Sequence, residues 1–331
     1  MTHHTGFEWA RERMASMRPK AAFDAQTPEE ARAWADRWRP ELRRMVGALD
    51  EPFPPLEATF SDEADVQGIR RVAVEFASRV GLRAKGYLLH PRGQGKRPAV
   101  VCNPGHGTGA DALVGVAEAD YQHQFALEAA SRGYVALALE PVGFGRRRSN
   151  DQGNSCLRDT SMAFALGESM IGWRVRDAMA AVSLLIGLGD LVDPERIGMI
   201  GISGGGTVSL WAAALDERVA ATLVSGYLCT FRDSILAVDH CIDNYVPGMV
   251  QTFEMSDIAS LIAPRALVAE SGTVDPIFPK EGFLAACEAV GRAYSAHGAP
   301  DRFARHLFEG DHVFKGTESF AALDRWLRPG E

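Results

Sequence analysis

Apolar positions along this chain follow two different periods, and the change between them divides the sequence. Residues 1–55 are charged and read as helical. After Thr27-Pro28-Glu29-Glu30, the side chains of Ala31, Trp34, Trp38, Leu42, Met45 and Leu49 recur at three- and four-residue steps, one stripe on a helix. Thr27 as N-cap, Pro28 at the first helical position and Glu30 three residues after the cap predict where that helix starts. Glu51-Pro52-Phe53-Pro54-Pro55 predicts where it has stopped. Such an arm either packs on the main body or presents its tryptophans as a lid or dimerisation element, so a homo-oligomer through the N-terminal helices is one expectation.

From about residue 66 the texture changes. Residues 69–77 and 82–89 are short β-like runs around a turn at Gly81, an antiparallel pair. Buried runs at 99–102, 134–139, 197–202, 219–224, 266–269 and 303–308 then alternate with helical patterns near 118–132, 168–189, 205–215, 280–297 and 317–328. Apolar strands alternating with helices predict an α/β fold, a mainly parallel sheet with helices on both faces. It would occupy residues 56–331 behind the arm, with its ligand beyond the C-terminal strand ends. Residues 226–262 separate two strands by far more than an ordinary connection. They predict a lid-like insertion that shapes the pocket, with Tyr227, Phe231 and Tyr245 as candidate pocket residues beside His106.

Composition narrows the partners. With 46% hydrophobic residues in 331, a full core needs neither disulfides nor metal. A net charge of −8 argues against a phosphate-binding surface, so no nucleic acid and no anionic membrane are expected. Five cysteines without a C-x-x-C pair suit reduced thiols in the cytoplasm. The first twenty residues hold no apolar signal-like core, and no run approaches the ~20 apolar residues that span a bilayer. Cys229, His240, Cys241 and Asp243 show no ligand spacing, so no metal is expected. Arg146-Arg147-Arg148 reads as a solvated, salt-bridged loop, with a carboxylate or sugar-acid substrate as the alternative.

Gly201-Ile202-Ser203-Gly204-Gly205 is a G-x-S-x-G between the buried run 197–202 and a helix through Thr207, Leu210, Trp211 and Ala214. That is the setting of a nucleophile elbow, a serine on a strained strand-to-helix turn. A serine hydroxyl needs a base. Of nine histidines, His3 and His4 fall in a terminus expected to fray. His90, His123 and His297 read as solvated, and His306 as structural within a strand. His312, in the loop leaving the last strand, can reach back over the elbow. The orienting acid then lies between Ser203 and His312. Asp275, in the loop after 266–269, is the first choice and Glu270 at the strand end the second, with Asp233, Asp239 and Asp243 behind. Asn103-Pro104-Gly105-His106-Gly107-Thr108-Gly109 ends the first parallel strand. Oxyanion donors are expected at the amides of Gly204 and Thr108, with Gly107 next. His106 shapes that loop.

NPGHGTG, GISGG, the Asp275 loop and GDHVF together resemble the α/β-hydrolase superfamily over residues 66–328. EPVGFGRR, HCIDNYVPG and APRALVAESGTVDPIFP are similar to its dienelactone-hydrolase-like and acetyl-xylan-esterase-like branch. The resemblance implies ester hydrolysis through an acyl-enzyme, without a cofactor. Dienelactone hydrolases proper carry cysteine in the elbow, so Ser203 points to the esterase and deacetylase side. The expectation is a serine esterase acting on short acyl esters of a larger alcohol such as a sugar. A peptidase or acylaminoacyl hydrolase with the same triad, and a silent ligand-binding protein, are the alternatives.

Overall fold

Nine strands form one sheet in the computed structural model, which describes residues 5–151 and 153–328. They are β1 (Thr59–Val66), β2 (Ile69–Arg79), β3 (Leu82–Pro91), β4 (Arg97–Asn103), β5 (Val135–Leu139), β6 (Val192–Ile202), β7 (Ala221–Ser225), β8 (Ala266–Gly272) and β9 (Phe303–Phe308). Their order across the sheet is β1-β2-β3-β5-β4-β6-β7-β8-β9. The first three pair antiparallel and join β5 antiparallel; from β5 to β9 every pairing is parallel.

Ten α-helices accompany the sheet among the described residues: α1 (Gly6–Ala15), α2 (Pro28–Val46), α3 (Phe125–Ser131), α4 (Cys156–Ala165), α5 (Met170–Gly187), α6 (Gly204–Leu215), α7 (Met249–Thr252), α8 (Met255–Ser260), α9 (Lys280–Ala296) and α10 (Thr317–Leu327). The inner parallel strands are buried on both faces over their central residues, which is why these read as apolar runs, while β9 at the edge is only half-buried. In β4, Ala99 and Val101 join the core with α5 and α6, while Val100 and Cys102 join the opposite one with α3 and α10. Chain direction across the sheet reverses at β4, whose neighbours are β5 and β6. The crevice beyond the ends of β4 and β6 is therefore the switch point, where open α/β sheets place their ligands.

The capping box of α2 forms as its sequence predicts: Glu30 N donates to Thr27 Oγ1, and Thr27 N to the Glu30 carboxylate. The stripe faces the body. Trp34 is 8% exposed, its Nε1 donating to Ala21 O, and Trp38 meets Phe253 of the insertion edge-on. Elements differ from expectation in three places. β1 is an exposed edge strand of mostly polar residues, so it carries no alternation to find. The helix expected over 118–132 begins only at Phe125, because His123 and Gln124 take positive φ and turn the chain. Helix α4 occupies a stretch that carried no expected element. No helix among the described residues is long and apolar enough to cross a membrane.

Candidate active site

Ser203 stands between β6 and α6 with φ 56° and ψ −125°, a conformation that costs a non-glycine residue about 1–3 kcal/mol. Neighbouring glycine makes the turn possible. A Cβ on Gly205 would lie 1.8 Å from Asn103 O, so β4 and α6 approach as closely as backbones can. Ser203 N donates to Ser225 O at 3.0 Å, which ties the elbow to the end of β7. The side chain sits at the N-terminus of α6, where unpaired amides favour negative charge. Its residue is 6% exposed.

The loops after β8 and β9 bring Asp275 and His312 together at the same sheet end. His312 Nδ1 lies 2.7 Å from Asp275 Oδ2. Asp275 Oδ1 accepts the amides of Ile277 at 2.8 Å and Phe278 at 2.9 Å, so the carboxylate is fixed by its own turn. The imidazole stacks with Tyr121 and with Phe278, ring centroids 5.6 and 5.7 Å away. Beneath it Gly226 has φ 50°, and a Cβ there would lie 3.0 Å from His312 Cε1. His312 Nε2 is buried and has no hydrogen-bond partner among the described residues. Glu270 does something else: its oxygens accept the amides of Lys315 and Gly316 and the Ser319 hydroxyl, holding the loop that carries His312.

Tyr121 went unnoticed in the sequence. Its hydroxyl donates to His106 O at 2.9 Å and interacts with the Ser203 side chain, and burial holds the phenol well above its ordinary range. No local pattern marks it, because every contact that matters is made by a distant segment.

In the loop after β4, Gly105 and His106 come nearest the elbow. A Cβ on Gly105 would stand 3.1 Å from Ser203 Cβ, and one on Gly204 would stand 3.0 Å from His106 Nδ1. Gly105 N already donates to Gln122 Oε1. Thr108 and Gly107, the expected oxyanion donors, lie farther along this loop and are exposed. The other ring nitrogen of His106 lies 3.1–3.2 Å from the Asp243 carboxylate. Burial pulls this imidazole down, but Asp243 and Cys241 together outweigh it and push the pKa up to about 9. Asp243 in turn accepts from Arg174 at 2.7 Å, and Arg174 reaches Cys156 Sγ at 3.6 Å. One ligand atom from each of His106, Cys156, Cys241 and Asp243 lies within 4.8 Å of all the others.

A family model described as Abhydrolase family matches residues 6–319. The chain belongs to the Abhydrolase family. YtaP of Bacillus subtilis strain 168, provisionally assigned as a hydrolase, is 29% identical over 304 residues, 87% of this chain and 98% of that protein. Two solved structures share the fold. A Bacteroides fragilis protein provisionally described as an acetyl xylan esterase has a TM-score of 0.79 at 20% identity, over 93% of this chain and 83% of its own. A glucuronoyl esterase from Teredinibacter turnerae has a TM-score of 0.69 at 16% identity, over 94% and 89%.

The remaining expected residues of this Abhydrolase chain divide by burial. Tyr227 and Phe231 are wholly buried, Tyr227 accepting from Trp211 Nε1, while Phe231 also borders a groove with Met14, Thr230 and Val250. The insertion begins as core and becomes wall only later: Tyr245 and His240 line an open groove of about 460 Å³ with Phe7, Arg11 and Leu236. Arg147 pairs with buried Asp177, and Arg146 lies over the Tyr87 ring beside Asp111. His306 faces Glu270 and Glu318. His3 and His4 lie outside the described residues.

Proposed function

We infer that this protein is a serine esterase with Ser203 as nucleophile, His312 as base and Asp275 as the acid that orients it. What carries the reading is a strained serine at the N-terminus of α6 and an Asp275–His312 pair at the same sheet end, both touching Tyr121, with His312 Nε2 free of a hydrogen-bond partner among the described residues. In the proposed reaction His312 Nε2 takes the Ser203 proton as the hydroxyl attacks an ester carbonyl, and Asp275 stabilises the imidazolium that forms. The oxyanion is held by the Gly204 amide and a loop amide between His106 and Thr108. The close approach of Gly105-His106 to Ser203-Gly204 favours His106 as that donor. The imidazolium gives its proton to the leaving alcohol; water, deprotonated by the same ring, then attacks the acyl-enzyme, and that proton passes to Ser203 Oγ as the acid is released.

Shape supports one substrate class. His312 is hemmed in by Tyr121 and Phe278, and Gly105 closes on Ser203, which favours a short acyl chain. The alcohol has room in the groove at His240 and Tyr245, since His240 packs edge-on against Phe278, centroids 6.3 Å apart. Short acyl esters of a bulky, polar alcohol such as a sugar fit both halves, and the structural neighbour described as an acetyl xylan esterase supports the same class. A fluorophosphonate probe should label Ser203, and kcat/KM across p-nitrophenyl esters should peak at two to four carbons. Each further methylene that collides costs about 1–3 kcal/mol. A wild-type chain that resists the probe would end the esterase reading; a peak at eight carbons would end the short-acyl part alone.

A further inference from the structure

His106, Cys156, Cys241 and Asp243 come from three separate segments: the loop after β4, the first residue of α4, and the insertion. Two thiols, an imidazole and a carboxylate converge there with no other task in the proposed reaction. We propose that these four side chains bind one zinc ion in a tetrahedral site that pins the loop beside Ser203 to the insertion.

The geometry is close to what zinc needs. Bonds of about 2.0–2.3 Å to nitrogen, oxygen and sulfur in a tetrahedron set neighbouring donors roughly 3.3–3.8 Å apart. The donors already lie within 4.8 Å of one another, and His106 Nε2 to Asp243 is 3.1–3.2 Å. Mixed thiolate, imidazole and carboxylate donors suit zinc better than magnesium or calcium, which take oxygen. Charge balances as well. Two thiolates and Asp243 carry three negative charges, which the ion and buried Arg174, bonded to Asp243 and facing Cys156, cancel together. A buried site of large net charge would be expensive to desolvate. The spacing in the chain hides the site, because His106 and Cys156 are far from the pair at 241 and 243.

Zinc would act on position rather than on bond-making. His106 Nδ1 faces Gly204, and Tyr121 donates to His106 O, so fixing the imidazole fixes the backbone that flanks the elbow.

Zinc retention is read without any ester assay. The untagged full chain, kept reduced, is incubated with zinc, freed of excess metal and assayed by mass spectrometry for metal content. One equivalent should be retained and Tm should rise. Cobalt(II) in place of zinc should develop an intense thiolate-to-metal charge-transfer band, a readout needing no variant. Cys156→Ser and Cys241→Ser should each lose the ion and the band, whereas Cys102→Ser should keep both. Three results overturn the site: no metal retained while both thiols react freely with a thiol reagent; equal retention in the Cys156→Ser/Cys241→Ser double variant; or a chain two hydrogens lighter, with peptides carrying Cys156 and Cys241 joined as a disulfide.

Discussion

His312–Asp275 and His106–Asp243 are both imidazole–carboxylate pairs at the same end of the sheet, and both rings lie close to the Ser203 turn. Their carboxylates are held differently. Asp275 spends one oxygen on two amides of its own loop and gives the other wholly to His312. Asp243 is shared between His106, Arg174 and the Asn244 amide group. The rings differ accordingly. His312 keeps a free Nε2 between stacked Tyr121 and Phe278, whereas His106 turns its Nε2 into a buried polar cluster and its Nδ1 against Gly204. An imidazole becomes a base through the nitrogen it leaves unspent; the same group with both edges occupied becomes a strut.

Removing the proposed nucleophile or the proposed base tests that contrast most severely. Ser203→Ala and His312→Ala should each lower kcat on the order of 10⁴–10⁶-fold, and the double variant should lose little more than either alone, because one proton-transfer unit is broken only once. His106→Asn should cost less than about 10²-fold, the size of effect expected when a positioned donor shifts. Steady-state rates on a short p-nitrophenyl ester decide it. Equal losses for His312 and His106 would mean that the two pairs had been given each other's roles.

The carboxylates should separate in the same way. Asp275→Asn is expected to lower kcat by about 10⁴-fold with little change in Tm, since the wrong imidazole tautomer is held in an intact loop. Asp243→Asn should do the reverse, costing about 3–5 kcal/mol of unfolding free energy by stranding buried Arg174. Its effect on kcat of the folded fraction should be at least two orders of magnitude smaller than that of Asp275→Asn. Glu270→Gln, which loosens the loop behind His312, should fall between them in activity. Urea unfolding beside initial rates on the same preparations ranks all three.

The two pairs were unequally visible in the chain. Ser203, Asp275 and His312 could be proposed because each follows a strand of the parallel series, and for Ser203 and Asp275 that strand ends in an apolar run buried on both faces, whose exit can be counted. Ser203 had glycines on both sides as well. His106–Asp243, Cys156 and Tyr121 had no such frame. They meet through tertiary packing of a loop, a helix start and an insertion, and no period within the sequence encodes that meeting. Tyr227 and Phe231 show a related limit: apolar residues of an insertion look alike in sequence whether they line a pocket or fill the core beneath it. Local backbone chemistry had limits too, since the positive φ of His123 and Gln124 cut short a helix whose apolar pattern looked continuous.

A smaller effect sharpens the comparison from beneath the His106 side. Glu140, at the end of β5, is 1% exposed, and neither carboxylate oxygen has a hydrogen-bond partner of good geometry. Backbone closes over it, for a Cβ on Gly109 or Gly145 would fall 1.9 or 2.1 Å from Glu140 Oε1. Unlike Asp243, it has only a loose ion pair among the described residues, with Arg146 3.9 Å away and half in solvent. Burial therefore pushes its pKa up from 4.5 to about 7. Between those two values the folded chain binds more protons at Glu140 than the unfolded chain does, so stability falls as pH rises through that window. The full penalty is present above about pH 7 and vanishes below about 4.5. Glu140→Gln keeps the shape and removes the charge, so it should stabilise the protein by about 1–3 kcal/mol at pH 8, an order-of-magnitude figure from a shift of this size. At pH 4.5 wild type and variant should unfold at nearly the same urea concentration. A Gln variant that is no more stable than wild type at pH 8, or whose advantage is as large at pH 4.5, would show that Glu140 is not held there as a penalised anion.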